Sequence, residues 1–397
     1  MTKRIVLITA VLLFSAVGGA LGQGLRVPPP TVVPFETSNN VIVLPMTVNG
    51  SAPLKFILDT GASGTVISER AAKELGLEST AETNTTTLGG AVKSSSLKNV
   101  SLRVGPIEFP KIALTAIPLG GLEAGFGTRI DGILGVEAFE RYVVEIDYLA
   151  KTVTFREPQA FRYRGKGKNF PITFVDQTPF IGVKIARGAG RTPVEASLLL
   201  DIGAVPAMTL YPAFVEKYGL FPVEAKTLKI TFGALISGLV GRVGRIREMR
   251  MGSYAIKNFF VTLPQKAGGD AYNDGLIGGE ILRRFKVIID YSHKSVILEP
   301  NRNLSEPYNF DASGMSLAAG GSDLKTIKVR SLVENSPATE AGIQAGDIIL
   351  VMDGKSVSDL TLEQIRKMFR QPGRSFVLGV KRDAATMEIA ITSRKLI

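Results

Sequence analysis

Two aspartates that occur in similar surroundings are the residues best suited to chemistry in this chain. Asp59 and Asp201 each follow a run of bulky apolar residues, and each is followed two positions later by a glycine, Gly61 and Gly203. Each apolar run predicts a buried strand, and the glycine allows a sharp turn directly after it. A single Asp-x-Gly is usually only an Asx-turn, but a carboxylate held at a strand end can also be oriented for catalysis.

The surroundings of the two aspartates recur along the chain at a nearly constant spacing. The aspartates are 142 residues apart, and the motif Asp-Gly-apolar-apolar-Gly at 131–135 recurs 143 residues later at 274–278. The strand that ends in Asp147-Tyr148 has its counterpart in Asp290-Tyr291 at the same spacing. Several matches in the same order indicate an internal duplication, and a repeat of this length forms a lobe rather than a solenoid unit.

Duplicated lobes that meet at a two-fold axis would bring the two carboxyl groups together. Two neighbouring carboxyls cannot both ionise readily, so the pKa of one rises and that of the other falls. The pair then supplies one acid and one base, which is what the attack of water on an amide requires.

Composition narrows the alternatives to carboxylate chemistry. The chain has no cysteine, and its one histidine, His293, lies outside any cluster of metal-binding residues. These counts exclude a cysteine protease and argue against the usual zinc sites and a Ser-His-Asp triad. We therefore expect no metal and no organic cofactor.

The stretch Asp59-Thr-Gly-Ala-Ser63, followed by the apolar-apolar-Gly element at 133–135, resembles the retropepsin-type aspartic proteases. Two such lobes in one chain resemble the single-chain, pepsin-like arrangement, over roughly residues 39–300. The resemblance implies a mainly β fold of duplicated retropepsin-like acid-protease lobes, a bilobal β-barrel. It also implies an aspartic endopeptidase that acts on peptide or protein substrates with Asp59 and Asp201 as the catalytic dyad. The residues that would support the catalytic loops are Thr60, Gly61, Ser63 and Gly203.

In this family a glycine-rich hairpin, the flap, closes over the substrate. The resemblance places the flap of the first lobe at Leu88, Gly89 and Gly90, and that of the second lobe at Phe232 and Gly233.

The second lobe departs from the family pattern, because Ile202 stands at the position of Thr60 and Val205 at that of Ser63. In the family, the hydroxyl after each aspartate locks the two loops together, and losing one costs about 1–3 kcal/mol if its partner stays unsatisfied. An apolar neighbour also favours the protonated form of a carboxyl. Three alternatives stay open: an active enzyme with a tuned dyad, a non-catalytic peptide-binding protein, or activity through self-association of the first lobe.

The composition changes after Pro300. Residues 301–311 are polar and predict a linker, and residues 312–397 have the size of a small domain. Its motifs resemble the PDZ domain of bacterial envelope proteases: Asn335-Ser-Pro-Ala338, Ala341-Gly-Ile343, Ala345-Gly-Asp347 and Asp353-Gly354. Apolar spacing predicts a helix over 358–369.

The resemblance implies a β-rich domain with helices that binds a C-terminal peptide ligand as an added strand. The candidates for its carboxylate-binding loop are Gly314, Met315 and Ser316. A PDZ fold that only packs on the protease lobes is the alternative.

The N-terminal segment predicts export. Met1–Gly22 combines a basic start, a short apolar run and small residues before a cleavage site, as in a secretory signal peptide. An uncleaved anchor is the alternative, but the apolar run is short for a membrane span. We expect a periplasmic or extracellular protein without an integral membrane span after cleavage. The remaining divisions are a Pro-rich linker at 23–38, a first lobe at 39–156 and a second lobe at 157–300.

The net charge of +11 raises the question of a nucleic-acid partner. No nucleic-acid-binding motif accompanies the basic stretches, so we interpret them as solvated faces and expect no nucleic-acid partner.

Overall fold

The computed structural model describes residues 29–87, 90–188, 190–222, 224–232, 238–266 and 273–397. The predicted signal peptide Met1–Gly22 and the flap candidates Leu88, Gly89 and Gly233 lie outside the described residues.

The first repeat contains eleven strands and three short α-helices among its described residues. The strands are β1 (Thr31–Pro34), β2 (Glu36–Ser38), β3 (Val41–Val48), β4 (Leu54–Leu58), β5 (Val66–Ser68), β6 (Ser79–Thr87), β7 (Gly90–Val104), β8 (Ile107–Ile117), β9 (Gly132–Leu134), β10 (Val143–Asp147) and β11 (Thr152–Arg156). The helices are α1 (Glu69–Glu74), α2 (Gly120–Phe126) and α3 (Val136–Arg141), and a 3-10 turn follows at Pro158–Ala160.

The prediction of a linker at 23–38 is wrong for its last eight residues, since β1 and β2 lie there. Alternation of side chains turns Val33 and Phe35 inward, where both are buried in the core of the lobes. Strand β1 pairs with β11, and β2 pairs with β3. Burial of alternate apolar residues therefore outweighs the turn-forming character of the nearby prolines.

The second repeat has the corresponding elements. Its strands are β12 (Lys168–Val175), β13 (Thr178–Ile185), β14 (Val194–Leu200), β15 (Met208–Leu210), β16 (Leu228–Phe232), β17 (Leu239–Met251), β18 (Tyr254–Pro264), β19 (Gly275–Ile277), β20 (Phe285–Asp290) and β21 (Ser295–Pro300). Its helices are α4 (Pro212–Tyr218) and α5 (Gly279–Leu282), with a 3-10 turn at Arg302–Ser305.

The strand order is the same in both lobes. The first lobe has the order β2-β3-β4-β9-β5-β8-β7-β6, and the second lobe has β12-β13-β14-β19-β15-β18-β17-β16. The additional pairing of β3 with β7 is matched by that of β13 with β17. The duplication inferred from the sequence is therefore present strand by strand, and the prediction of a mainly β fold with two duplicated lobes is confirmed.

A sheet shared by the two repeats joins the lobes. Its strands run in the order β1-β11-β10-β20-β21-β12, and β10 pairs antiparallel with β20, where Glu145 lies opposite Ile288. The rings of Phe139 and Tyr291 stack across the lobes with centroids 5.6 Å apart. One continuous apolar cluster extends through both lobes, so their relative position is set by packing as well as by strand pairing.

Residues 312–397 form a separate sheet around their own apolar core. The strands are β22 (Met315–Gly320), β23 (Thr326–Leu332), β24 (Ile348–Met352), β25 (Lys355–Ser356), β26 (Ser375–Arg382) and β27 (Ala385–Thr392), and the main path runs β22-β23-β24-β26-β27. The helices are α6 (Pro337–Glu340) and α7 (Leu362–Phe369), with a 3-10 turn at Val357–Asp359.

Helix α7 begins at Leu362 rather than at the predicted Ser358. Thr361 and Gln364 form a capping box, in which each side chain bonds the backbone of the other residue. This cap fixes the first turn, and the residues before it form the 3-10 turn instead. Residues Leu362, Ile365 and Phe369 are buried on one face, as their spacing predicts.

The segment between the second lobe and the C-terminal domain is held by a buried arginine. Arg284 is fully buried, and its guanidinium donates to the carbonyl oxygens of Glu280, Asn303 and Glu306. It also lies over the ring of Tyr308, 3.6 Å from the centroid. These bonds attach most of the predicted linker at 301–311 to the second lobe.

Candidate active site

Each candidate catalytic aspartate follows a strand that pairs in parallel with the apolar-apolar-Gly strand of its own lobe. Strand β4 pairs with β9, and the Asp59 N–H donates to the carbonyl oxygen of Leu134 at 3.0 Å. Strand β14 pairs with β19, and the Asp201 N–H donates to the carbonyl oxygen of Ile277 at 2.9 Å. The repeated motifs therefore give both aspartates the same backbone support.

The glycine two residues after each aspartate serves both lobes. The Gly61 N–H donates to Asp59 Oδ1 at 2.7 Å, and the Gly203 N–H donates to Asp201 Oδ1 at 2.9 Å. A Cβ atom on Gly203 would lie 2.3 Å from the carboxyl carbon of Asp59, and one on Gly61 would lie 3.0 Å from Asp201 Oδ2. Each carboxyl thus packs against the glycine of the opposite loop, and a side chain at either position would displace it.

Asp59 and Asp201 form a hydrogen-bonded pair of carboxyls. Burial raises the pKa of both groups. The pKa of Asp201 is raised well above its usual range, because the negative charge of Asp59 adds to burial. The pKa of Asp59 is held back by the Gly61 N–H and by the hydrogen bond from Asp201. The proton of the pair therefore belongs to Asp201, and Asp59 is the carboxylate.

Thr60 ties the loop of the first lobe to that of the second. Its hydroxyl donates to the carbonyl oxygen of Leu200 at 2.5 Å and accepts from the N–H of Ile202 at 3.1 Å. Ile202 has no hydroxyl with which to return these bonds, and its side chain is fully buried in the core. The lock between the loops is therefore one-sided.

The two carboxyls lie in a cavity of about 970 Å³ that both lobes and the C-terminal domain line. Ser63 also lines it, but its side chain is exposed, and among the described residues its hydroxyl has no hydrogen-bond partner. Val205, its counterpart in the second lobe, lines the same cavity.

The described flap candidates lie at the ends of equivalent hairpins. Gly90 begins β7 and lies opposite Thr87 of β6, and Phe232 ends β16 and lies opposite Leu239 of β17. Phe232, Leu239 and Thr87 line the cavity, so both hairpins reach the space in front of the dyad. The hairpin ends themselves include the residues outside the description.

Sequence reasoning missed Tyr211. It is buried and lines the cavity, and burial together with the charge of Asp201 raises its pKa to about 12. Its position in the repeat corresponds to Ser68, 143 residues earlier, which caps helix α1. The difference in residue type between two aligned repeats was the available signal.

A second missed group supports the first catalytic loop. Thr65 is buried, its hydroxyl donates to Glu137 at 2.5 Å, and it accepts from the N–H of Gly135 at 3.1 Å. Neither residue has a counterpart with the same side chain in the second repeat, so the duplication did not reveal them.

The repeated Asp131 and Asp274 have a structural function. The Asp131 carboxylate accepts from the N–H of Lys55 at 2.8 Å, and that of Asp274 accepts from the N–H of Ser197 at 2.7 Å. Each aspartate therefore holds the strand that leads to a catalytic aspartate.

The candidates for the carboxylate-binding loop also reach this cavity. Gly314, Met315 and Ser316 line it on the side of the C-terminal domain. The Gly314 N–H donates to Asp311 Oδ1 at 2.7 Å, and the Met315 N–H donates to the hydroxyl of Ser313 at 3.1 Å. Two of the backbone donors of this loop are thus bonded within the chain.

Within the described ranges, no group of three or more His, Cys, Asp and Glu residues is arranged to hold a metal ion. The helices in those ranges are too short or too polar to span a membrane.

Comparison with known families agrees with this geometry. Residues 44–138 match the family described as aspartyl protease, and residues 328–382 match the family described as PDZ domain. These matches confirm the resemblance to an aspartic protease with a C-terminal PDZ domain.

Two individual proteins are also similar to this chain. A "Probable CtpA-like serine protease" of Staphylococcus haemolyticus (strain JCSC1435) is 26% identical over 176 residues, which is 42% of this chain and 34% of that protein. The chain thus spans about a third of the length of this curated relative. The crystal structure of aspartic proteinase from Irpex lacteus aligns with 71% of this chain and 100% of its own, at a TM-score of 0.45 and 14% identity.

Proposed function

We propose that this protein is an exported aspartic endopeptidase whose PDZ domain recognises peptides or regulates access to the cleft. The observation that carries the proposal is the hydrogen-bonded pair of Asp59 and Asp201, one from each lobe, in a cavity of about 970 Å³. The match to the aspartyl protease family supports a peptidase at the general level. The substrates are peptides or proteins, and the chemistry assigned to the two carboxyls calls for no cofactor.

In the proposed reaction, a water molecule between the two carboxyls attacks the scissile carbonyl. The Asp59 carboxylate accepts a proton from this water, while protonated Asp201 donates its proton to the carbonyl oxygen. The tetrahedral intermediate then returns a hydroxyl proton to Asp201, and Asp59 delivers its proton to the leaving amine. Acid and base exchange roles over the cycle, so the pair ends as it began.

The decisive experiment is digestion of a peptide library by the wild type and by Asp59→Asn and Asp201→Asn, with pepstatin as an inhibitor control. Asp383→Asn is the matched variant, since Asp383 is exposed and lies outside the cavity. We expect cleavage by the wild type and by Asp383→Asn, and none by either dyad variant. Full cleavage by a folded Asp59→Asn protein would disprove the dyad.

A second function, peptide binding without cleavage, is favoured by one observation, the apolar Ile202 in place of a hydroxyl. The same library separates the two functions, because a binding-only protein releases no products at any pH. Size measurement during the assay addresses the self-association alternative, which a strictly monomeric active enzyme would rule out.

Export to the periplasm or beyond is part of the proposal and rests on the segment Met1–Gly22. Expression in a bacterial host, fractionation and N-terminal sequencing of the product test it. A cleaved N-terminus near Gln23 in the exported fraction supports export, and an intact Met1 in the cytoplasm contradicts it.

A further inference from the structure

The PDZ domain forms part of the wall of the catalytic cavity. Gly314, Met315 and Leu317 of this domain line the same space as Asp59 and Asp201. The domain is fixed there by contacts with the first lobe. A Cβ atom on Gly127, at the end of α2, would lie 2.6 Å from the Cβ of Leu362 in α7, so the two helices meet closely.

The features by which a PDZ domain usually holds a peptide are occupied by the chain itself. The N–H groups of Gly314 and Met315 bond Asp311 and Ser313, as described above. The carbonyl oxygen of Leu317 on β22 accepts from Arg366 Nη2 at 2.7 Å, and α2 of the first lobe lies beside this strand. An incoming strand would compete with these contacts for the edge of β22.

Three arginines from the PDZ domain line this cavity, and none forms an ion pair with a described carboxylate. Arg366 bonds only neutral oxygens, those of Asn39, Gly125 and Leu317. Arg330 donates to the hydroxyl of Ser316 at 3.2 Å, and its buried Nε has no partner in the structure. Within the described residues, the guanidinium of Arg370 makes no hydrogen bond or ion pair.

These three arginines act on one another. Burial, followed by the positive charges of Arg330 and Arg370, lowers the pKa of Arg366 to about 10, against the opposing effect of Asp311 and Glu363. Asp311 does not neutralise the group, because one of its oxygens accepts three bonds from its own loop. Burial also raises the pKa of Asp311 to about 6.

The charge of the described cavity lining is therefore positive at neutral pH. Its cations are Lys266, Arg330, Arg366 and Arg370, and its acids are Asp59, Asp201 and Asp311. Since Asp59 and Asp201 share one proton, four positive charges face two negative ones. A like-charged group of this kind is relieved by binding an anion, and guanidinium groups match the geometry of a carboxylate.

We propose that Arg330, Arg366 and Arg370 bind a carboxylate of the peptide substrate while the dyad cleaves the same peptide. This inference rests on the proposed peptidase function and names its substrate class, peptides with a carboxylate at a set distance from the scissile bond. The carboxylate comes either from the C-terminus of the peptide or from an Asp or Glu side chain. The PDZ domain then selects substrates as a wall of the cleft rather than as a separate tether.

Four pools of random decapeptides test this proposal. Two pools share the same sequences and end in a free carboxyl or an amide, and two amide pools carry Glu or Gln at one fixed internal position. We compare kcat/KM between the members of each pair by mass spectrometry for the wild type, Arg370→Gln and Arg330→Gln. The control variants are Lys367→Gln on α7 and Lys328→Gln on β23, both exposed and outside the cavity.

We expect the wild type to prefer one charged pool over its neutral partner by roughly tenfold to a hundredfold, the usual value of a charge-assisted hydrogen bond. The preference should fall toward one in Arg370→Gln and Arg330→Gln and persist in both control variants. A preference for the free carboxyl identifies the C-terminus as the source, and a preference for Glu identifies the side chain.

Binding of the same pools, labelled with fluorescein at the N-terminus, to the Asp59→Asn protein separates the two levels of the proposal. Cleavage with equal rates for charged and neutral pools, and equal binding, overturns the carboxylate site and leaves the peptidase intact. Absence of cleavage together with arginine-dependent binding of a charged pool overturns the peptidase and supports the site. Thermal unfolding of each variant shows whether it is folded, and Arg330→Gln replaces Arg370→Gln if the latter is not.

Discussion

Replacing Thr60 with valine tests the one-sided lock between the catalytic loops. Valine keeps the shape of the side chain but removes the hydroxyl that bonds the Leu200 carbonyl oxygen and the Ile202 N–H. Thr60 is only 1% exposed, so water cannot replace the lost bonds. Two orphaned buried groups at about 1–3 kcal/mol each lower the free energy of unfolding by about 2–6 kcal/mol.

Two variants serve as controls for this change. Thr60→Ser keeps the hydroxyl and loses one buried methyl, for which we expect about 1 kcal/mol. Ile202→Val removes one methylene on the other side of the lock, for which we expect about 0.5–1.5 kcal/mol. The large cost should therefore fall on one lobe only.

Urea unfolding followed by circular dichroism measures these differences, since the chain has no tryptophan to report by fluorescence. Hydrogen exchange of the segment around Ile202 gives a local check, because its amide loses its acceptor in Thr60→Val alone. If Thr60→Val and Thr60→Ser unfold within about 0.5 kcal/mol of each other, the hydroxyl does not hold the loops and the reasoning fails.

Three further predictions concern the dyad. Gly203→Ala places a Cβ atom 2.3 Å from the carboxyl carbon of Asp59 and should abolish cleavage, whereas Gly64→Ala, with open space around the new atom, should cleave normally; equal activity of the two would contradict the packing. Because both carboxyl pKa values are raised, both limbs of the pH profile of kcat/KM should lie above the ordinary aspartate value of about 3.9, and a basic limb below it would contradict the assignment. A raised pKa means that the proton on Asp201 stabilises the fold at low pH and that this stability is lost as the pH rises through the raised value. Asp201→Asn should therefore unfold at a higher temperature than the wild type at neutral pH, with the difference shrinking on acidification; an unchanged difference across pH would refute this.

The sequence predicted the parts of the site that the duplication repeats. Asp59 and Asp201, their glycines and the strands β9 and β19 recur at one spacing, and their pairing follows from the two-fold relation between the lobes. Strand β1 was missed because Val33 and Phe35 acquire their meaning only from the core that they enter. The residues of the site that break the symmetry, such as Tyr211 and Thr65, had no repeat to point to them.

The arrangement of the PDZ domain could not be predicted from its own motifs. These motifs specify a local fold, and the predicted turn at Asp353-Gly354 and the helix start at Pro337 are both present. The position of the domain depends instead on contacts between distant segments, such as those of Arg366 with Asn39 and Gly125. An arginine on a helix face gives no sequence signal for a partner more than 200 residues away.

The departure at Ile202 is better explained as a source of asymmetry than as decay of the site. Full burial of an isoleucine side chain stabilises by about 1.5–3 kcal/mol, which is at least as much as the net value of about 0.5–1.5 kcal/mol for a hydrogen bond. The second lobe therefore exchanges one lock for another of similar strength. The exchange also removes a polar neighbour from Asp201, the carboxyl whose pKa is raised further. In a duplicated enzyme the two aspartates begin as equivalents, and one apolar residue beside one of them favours that aspartate as the acid.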